Sequence, residues 1–188
     1  SITAEDLTDF PLLVSITDDN LKSVDMGGLV QSEDGYDIAF ALTDGTVLDA
    51  EFERYDPDTG ALTAWVRIPT LSSSADADLL LKYGKARETG FAGNPAGVWD
   101  AYARLVYHFN DADGAPIDDA TANGNDGAAT DPFRVSLGRV AGAYVFDGID
   151  DLVKTPDSMS LRFDNTDFTI EGWYSRRAVQ ADSWFKVT

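Results

Sequence analysis

Cysteine is absent from the 188 residues, and histidine occurs once, at position 108. The first absence excludes a disulfide scaffold, thiolate metal sites and cysteine nucleophiles, but leaves the compartment open, because exported bacterial β-domains often lack cysteine too. The second means that any Ser-His-Asp triad or multi-histidine metal centre would depend on His108 alone. There is no apolar run approaching the roughly 18 residues that cross a bilayer, so no part of the sequence is expected to insert into a membrane. The chain opens Ser-Ile-Thr-Ala-Glu-Asp, without a basic and apolar leader; if the protein is exported, its signal has been removed. Gly-x-Ser-x-Gly, His-Glu-x-x-His, a phosphate-cradling Gly-x-x-x-x-Gly-Lys and a dinucleotide fingerprint are all missing.

Bases are scarce as well: 14 stand against 33 acids, for a net charge of −19. A field of that sign repels nucleic acid and anionic lipid and attracts cations. Most of the acids are aspartates, and many of these sit beside Gly, Asn or another Asp, as in Asp18-Asp19-Asn20 and Asp118-Asp119. Turn chemistry and solubility account for such clusters; calcium binding, or adaptation to a salty medium, is the sharper alternative. An apolar fraction of 44% is that of a folded globular protein despite the charge.

What the chain has in quantity is period-two alternation. Phe10, Leu12, Val14 and Ile16 form one such series, Tyr36, Ile38, Phe40 and Leu42 a second, and Leu62, Ala64, Val66 and Ile68 a third. Leu48, Ala50 and Phe52 alternate with Asp49, Glu51 and Glu53, and Leu79, Leu81 and Tyr83 follow. Alternation of this kind marks half-buried antiparallel strands. Turn signals separate them, and Asp56-Pro57-Asp58-Thr59-Gly60 predicts a tight hairpin. Asn94 to Tyr102 predicts one or two helical turns at most, capped by Asn94 and started by Pro95. Further strands are expected at 104–109, 143–146, 152–155 and 168–174, with another at 184–187, and a loop rich in Asp, Gly and Asn at 110–131. The predicted architecture is all-β: an antiparallel β-sandwich of jelly-roll type over 1–97, then an incomplete sandwich over 98–188. A sequence that stops inside an expected strand predicts a piece of something longer.

The ordered blocks Asp9-Phe10-Pro11-Leu12-Leu13-Val14, Asp34-Gly35-Tyr36-Asp37-Ile38-Ala39-Phe40, Ala64-Trp65-Val66-Arg67-Ile68-Pro69, Leu81-Lys82-Tyr83-Gly84 and Val106-Tyr107-His108-Phe109 carry a resemblance. Over about residues 7–110 they resemble a bacterial domain of unknown function found in exported proteins, including the periplasmic portions of MotA/TolQ/ExbB-type proton-channel proteins. Ala39 stands where that family often has Arg, and Lys82 and Lys85 stand at the usual Tyr and Asn of its Tyr-Tyr-Gly-Asn block. Over about residues 104–188, the Asp118–Gly127 loop, Gly138 to Asp151 and Phe168-Thr169-Ile170-Glu171-Gly172-Trp173 resemble the opening half of a laminin-G-like, concanavalin A-like jelly roll. Such domains often bind glycans, proteins or a structural calcium. The resemblance implies a non-catalytic extracytoplasmic module, periplasmic or at the cell surface. It would be tethered to the inner membrane by sequence outside this chain, with a membrane channel subunit and a protein or glycan ligand as partners. An accessory carbohydrate-binding domain of a secreted glycan-active enzyme, or a structural spacer, is the alternative.

Candidate residues follow. Calcium requires six to eight hard oxygens, and Asp118, Asn123, Asn125, Asp126, Asp147, Asp150 and Asp151 could supply them from two loops that a jelly roll brings together; ordinary Asx-turns would use the same residues. Trp65 and Trp99 could stack a sugar ring. Trp65 shares a face with Arg67, away from the Leu62/Val66 stripe, and is expected either to form an exposed platform or to be buried against the second segment. Trp173 is expected in the core. Glycoside hydrolysis needs paired carboxylates, and the 167–174 segment offers Glu171 alone. His108 is expected to be a structural imidazole at the junction of the two segments.

Overall fold

A computed structural model describes residues 5–86, 88–136, 138–164 and 166–175. All of its regular structure is β, apart from short 3-10 turns. Three strands form the main antiparallel sheet: β1 (Leu7–Thr17), β3 (Ala50–Asp56) and β4 (Ala61–Leu71), in the order β1-β4-β3. The β3–β4 hairpin falls where its turn signal predicts. Asp56 Oδ1 accepts the amides of Asp58 and Thr59, and Gly60 sits at φ 69° with Asp18 O only 2.1 Å from where a Cβ would lie. Any side chain at position 60 would collide with backbone.

Leu62, Ala64, Val66 and Ile68, alternate residues of β4, are buried. They pack with Leu21, Val30, Ile38, Phe40, Leu48 and Ala50 into one core. Ile38 and Phe40 lie in and beside β2 (Ala39–Ala41), which pairs antiparallel with β5 (Leu80–Lys82). This second layer covers the inner face of the main sheet, as a sandwich requires. Asp37 ties the layers' loops together by accepting the amides of Gln31, Ser32 and Gly84.

Beyond residue 100 regular structure is sparse: β6 (Ala128–Thr130) pairs with β9 (Leu152–Lys154), and β7 (Phe133–Val135) with β8 (Ala143–Val145). The expected strand at 104–109 is reduced to a single bridge, Tyr107 to Asp119. The reason is local. Asp119 uses its carboxylate in place of a ladder, accepting the amides of Val106 and Thr121 on Oδ1 and those of Asn125 and the Thr121 hydroxyl on Oδ2. Phe109, at φ 56°, then turns the chain out of the extended region. The expected strand at 168–174 is not formed; those residues are exposed, Trp173 at 74% and Tyr174 at 78%, so Trp173 is not in a core. β6 and β7 lie in or against the stretch expected to be loop. The strand expected at 184–187 lies outside the described residues. The helical suggestion at 94–102 resolves as one 3-10 turn, Pro95–Gly97.

Candidate functional site

The outer face of the main sheet carries Thr63, Trp65 and Arg67 of β4, and the chain from Gly97 to Asn110 lies across it. Glu51 stands directly opposite Trp65 in the β3–β4 ladder. The register shifts between Phe52 and Arg54, so Glu53 is the extra residue of a bulge. A bulge re-aims side chains, and here both glutamates reach the same cluster. Trp65 donates its indole N–H to Glu53 Oε1 at 2.9 Å, and Trp99 donates its own to Glu51 Oε2 at 2.9 Å. The indoles meet at 5.3 Å between ring centroids, tilted by 56°.

His108 completes the cluster. Its Nε2 lies 3.2 Å from Glu51 Oε2, and its Nδ1 pairs with Glu53 Oε1. The ring is stacked on Trp65 at 6.5 Å and tilted against Trp99 at 5.9 Å. Only 10% of the His108 side chain and 3% of the Glu53 side chain are exposed. Burial by itself would disfavour the imidazolium, but hydrogen bonds to Glu51 and Glu53 and their charges outweigh it, pushing His108 up to about 9. The ring is therefore cationic at neutral pH, and the cluster carries a buried, doubly paired cation.

Two further contacts tie the same stretch to the sheet. Asn110 donates through Nδ2 to the backbone carbonyl of Glu53 at 3.3 Å. Arg67 bonds Asp9 Oδ1 through Nε at 3.1 Å and donates from Nη1 to the carbonyl of Gly97 at 2.9 Å.

Trp65 and Trp99, expected as ligand platforms or interface residues, thus meet at the contact between β4 and the 97–110 stretch, with their polar atoms engaged by glutamates. Two open clefts of about 380 and 350 Å³ flank Arg134, and neither is lined by Trp65 or Trp99.

The proposed metal ligands divide. Asp147, Asp150 and Asp151 place one carboxylate oxygen each within 4.8 Å of one another. Among the described residues, no other group of three or more acidic or histidine side chains converges in this way, so Asp118 and Asp126 are not gathered with them. Several polar atoms of the earlier loop are engaged inside the protein. Asp126 Oδ1 accepts the Asp119 amide, Asn123 Nδ2 donates to the Ala103 carbonyl, and Asn125 Nδ2 donates to the Arg104 carbonyl and Ser160 Oγ. Asp118, exposed, donates its amide to Asp111 Oδ1 at 3.4 Å.

Sequence reasoning missed Glu51, Glu53, Asn110 and Asp119. Glu51 and Glu53 read as the solvated face of an amphipathic strand; two acids two residues apart, opposite a Trp-x-Arg stripe, were the available signal.

Residues 34–126 match a family described as Domain of unknown function (DUF2341). The matched region runs through Trp65 and Trp99 to His108, so the whole cluster lies inside it. No curated protein and no solved structure matches the chain.

Proposed function

We propose that this chain is a non-catalytic, extracytoplasmic binding or coupling module that recognises a protein or a glycan. The observation that supports it most directly is the state of His108. Both ring nitrogens are engaged by glutamates, and the ring is wedged against two indoles. A general base needs a free nitrogen within reach of a substrate proton, and an imidazole already protonated at neutral pH has none to offer. The same contacts favour coupling, since they fasten the 97–110 stretch to a well-packed sheet. Among the described residues, no helix is long and apolar enough to cross a membrane. The setting we favour is the periplasmic region of a MotA/TolQ/ExbB-type proton-channel (biopolymer transport) protein, with a laminin-G-like portion following the matched domain; an accessory carbohydrate-binding role is the alternative.

Fractionation of the native host separates these settings. Retention in the inner-membrane fraction, with cross-linking to a channel subunit, is expected; release into the medium together with a glycan-active enzyme would favour the alternative. Turnover of a glycan or ester by the purified chain, abolished in His108→Gln, would refute the non-catalytic reading.

Calcium belongs to this proposal at one place. Asp147, Asp150 and Asp151 offer three hard oxygens on a single exposed loop, and carbonyls and water would have to supply the remainder of a six- to eight-oxygen shell. The ion would rigidify that loop. The Asp118–Asp126 residues do not converge with these carboxylates and fit it less well.

A further inference from the structure

Residues 108–110 point alternately in two directions. His108 and Asn110 reach the main sheet, through Glu51 and Glu53. Phe109 between them packs the other way, 5.3 Å from Tyr144 in β8 in an edge-on arrangement and 5.9 Å from Tyr107. Tyr107 is itself anchored beyond the sheet, bonding the Asn125 carbonyl at 2.6 Å and Thr155 Oγ1 at 2.9 Å. The turnover is made by Phe109 adopting φ 56°. A bulky aromatic residue avoids that region, and it persists there only when its surroundings over-determine it. The surroundings here are the His108–glutamate pairs on one side and the β7–β8 hairpin on the other. Gly142, leading into β8, lies so close that a Cβ would stand 1.8 Å from the Phe109 carbonyl oxygen.

We propose that His108, Phe109 and Asn110 form a strained latch that couples the β7–β8 hairpin to the main sheet, so that a displacement of either is felt at the other. The latch has the two elements such coupling requires: a conformation that relaxes when either set of contacts is released, and contacts that both sides can bias. Opening returns Phe109 to negative φ, frees the imidazolium from Glu51 and Glu53, and withdraws the Phe109 ring from Tyr144. The charged groups facing His108 are Glu51 and Glu53 of β3; Trp65 of β4 and Trp99 supply its walls. This goes beyond the binding or coupling role proposed above and holds whatever ligand the module takes.

Because His108 is the only histidine, proton NMR follows its titration without ambiguity. Tyr144 touches Phe109, so its replacement reports transmission through the latch. Tyr144→Leu should lower the His108 midpoint by at least about half a unit, roughly threefold in proton affinity. Tyr144→Phe, which keeps the ring, should restore it, and Phe133→Ala, on the same hairpin but exposed, should leave it unchanged. An unaltered midpoint in folded Tyr144→Leu overturns the latch. If that variant does not fold, hydrogen exchange on the unmodified chain decides: protection factors at Ala143 and Val145 should fall as His108 deprotonates, and factors indifferent to its titration overturn the proposal. Either failure leaves the binding role standing, which is tested separately by fractionation, cross-linking and the absence of turnover.

Discussion

His108 Nε2 lies 3.2 Å from Glu51 Oε2 across 57 positions of sequence, and the contact joins the edge strand of the main sheet to the chain that crosses its outer face. On its other side the ring meets Glu53, which also holds Trp65. One imidazole thus organises two carboxylates and two indoles.

The first prediction concerns pH. His108 is raised from 6.5 to about 9 by Glu51 and Glu53, against the effect of its burial. Between those values the folded protein binds a proton that the unfolded chain has released, so stability falls as pH rises. The contribution is fully present below about 6.5 and lost as pH passes through about 9. At roughly 1.4 kcal/mol per unit, about 3 kcal/mol is the upper limit. Urea denaturation across pH 6 to 10 should show the decline, and His108→Gln should flatten it. A wild-type curve that is level over this range would contradict the assignment.

Glu53→Gln should cost more than Glu51→Gln. Each carboxylate engages His108 and one indole, but the Glu53 side chain is 3% exposed against 15% for Glu51. Removing one partner strands a buried charge, a loss of about 3 kcal/mol. Denaturation midpoints at pH 7 test the order, and equal losses in the two variants would count against it.

The sequence-based expectations succeeded where the period-two signal is strong and both layers of a sandwich enforce it: β1, β3, β4 and their hairpin stand where expected. They faltered beyond residue 100. At 104–109 the apolar alternation is real, but the Asp119 carboxylate takes the place of a partner strand. A side chain four hydrogen bonds deep leaves no periodic trace. Glu51 and Glu53 were misread for a related reason. Alternation assigns them to the outer face correctly, but it does not say that Trp99 and His108, far along the chain, come to cover that face. The junction role of His108 could be inferred; its partners could not.

Asp119→Asn should destabilise the region after residue 100 selectively. Both carboxylate oxygens accept: Oδ1 from the amides of Val106 and Thr121, Oδ2 from the Asn125 amide and the Thr121 hydroxyl. An amide nitrogen at either position would face donors, at about 2 kcal/mol. Hydrogen exchange should quicken at Val106, Thr121 and Asn125 while Val66 and Ile68, in the main core, stay protected. Uniform loss of protection across both regions would show that they unfold as one unit.

Calcium gives the last prediction. Asp147, Asp150 and Asp151 converge within 4.8 Å, and the loop between them is already turned by the Ile149 amide bonding Asp147 Oδ1 at 2.8 Å. Unscreened, three carboxylates so placed repel one another, and a divalent cation relieves that repulsion. An ion bound to the folded form alone raises stability by mass action, so millimolar Ca²⁺ should raise the melting temperature by a few degrees. Asp150→Asn, on an exposed side chain, should remove the response without lowering the melting temperature measured in chelator. Magnesium is the control: it holds a tight octahedral water shell and fits an irregular, flexible loop poorly. A rise equal for both metals and retained in Asp150→Asn would mean general screening of the −19 charge and would remove the site.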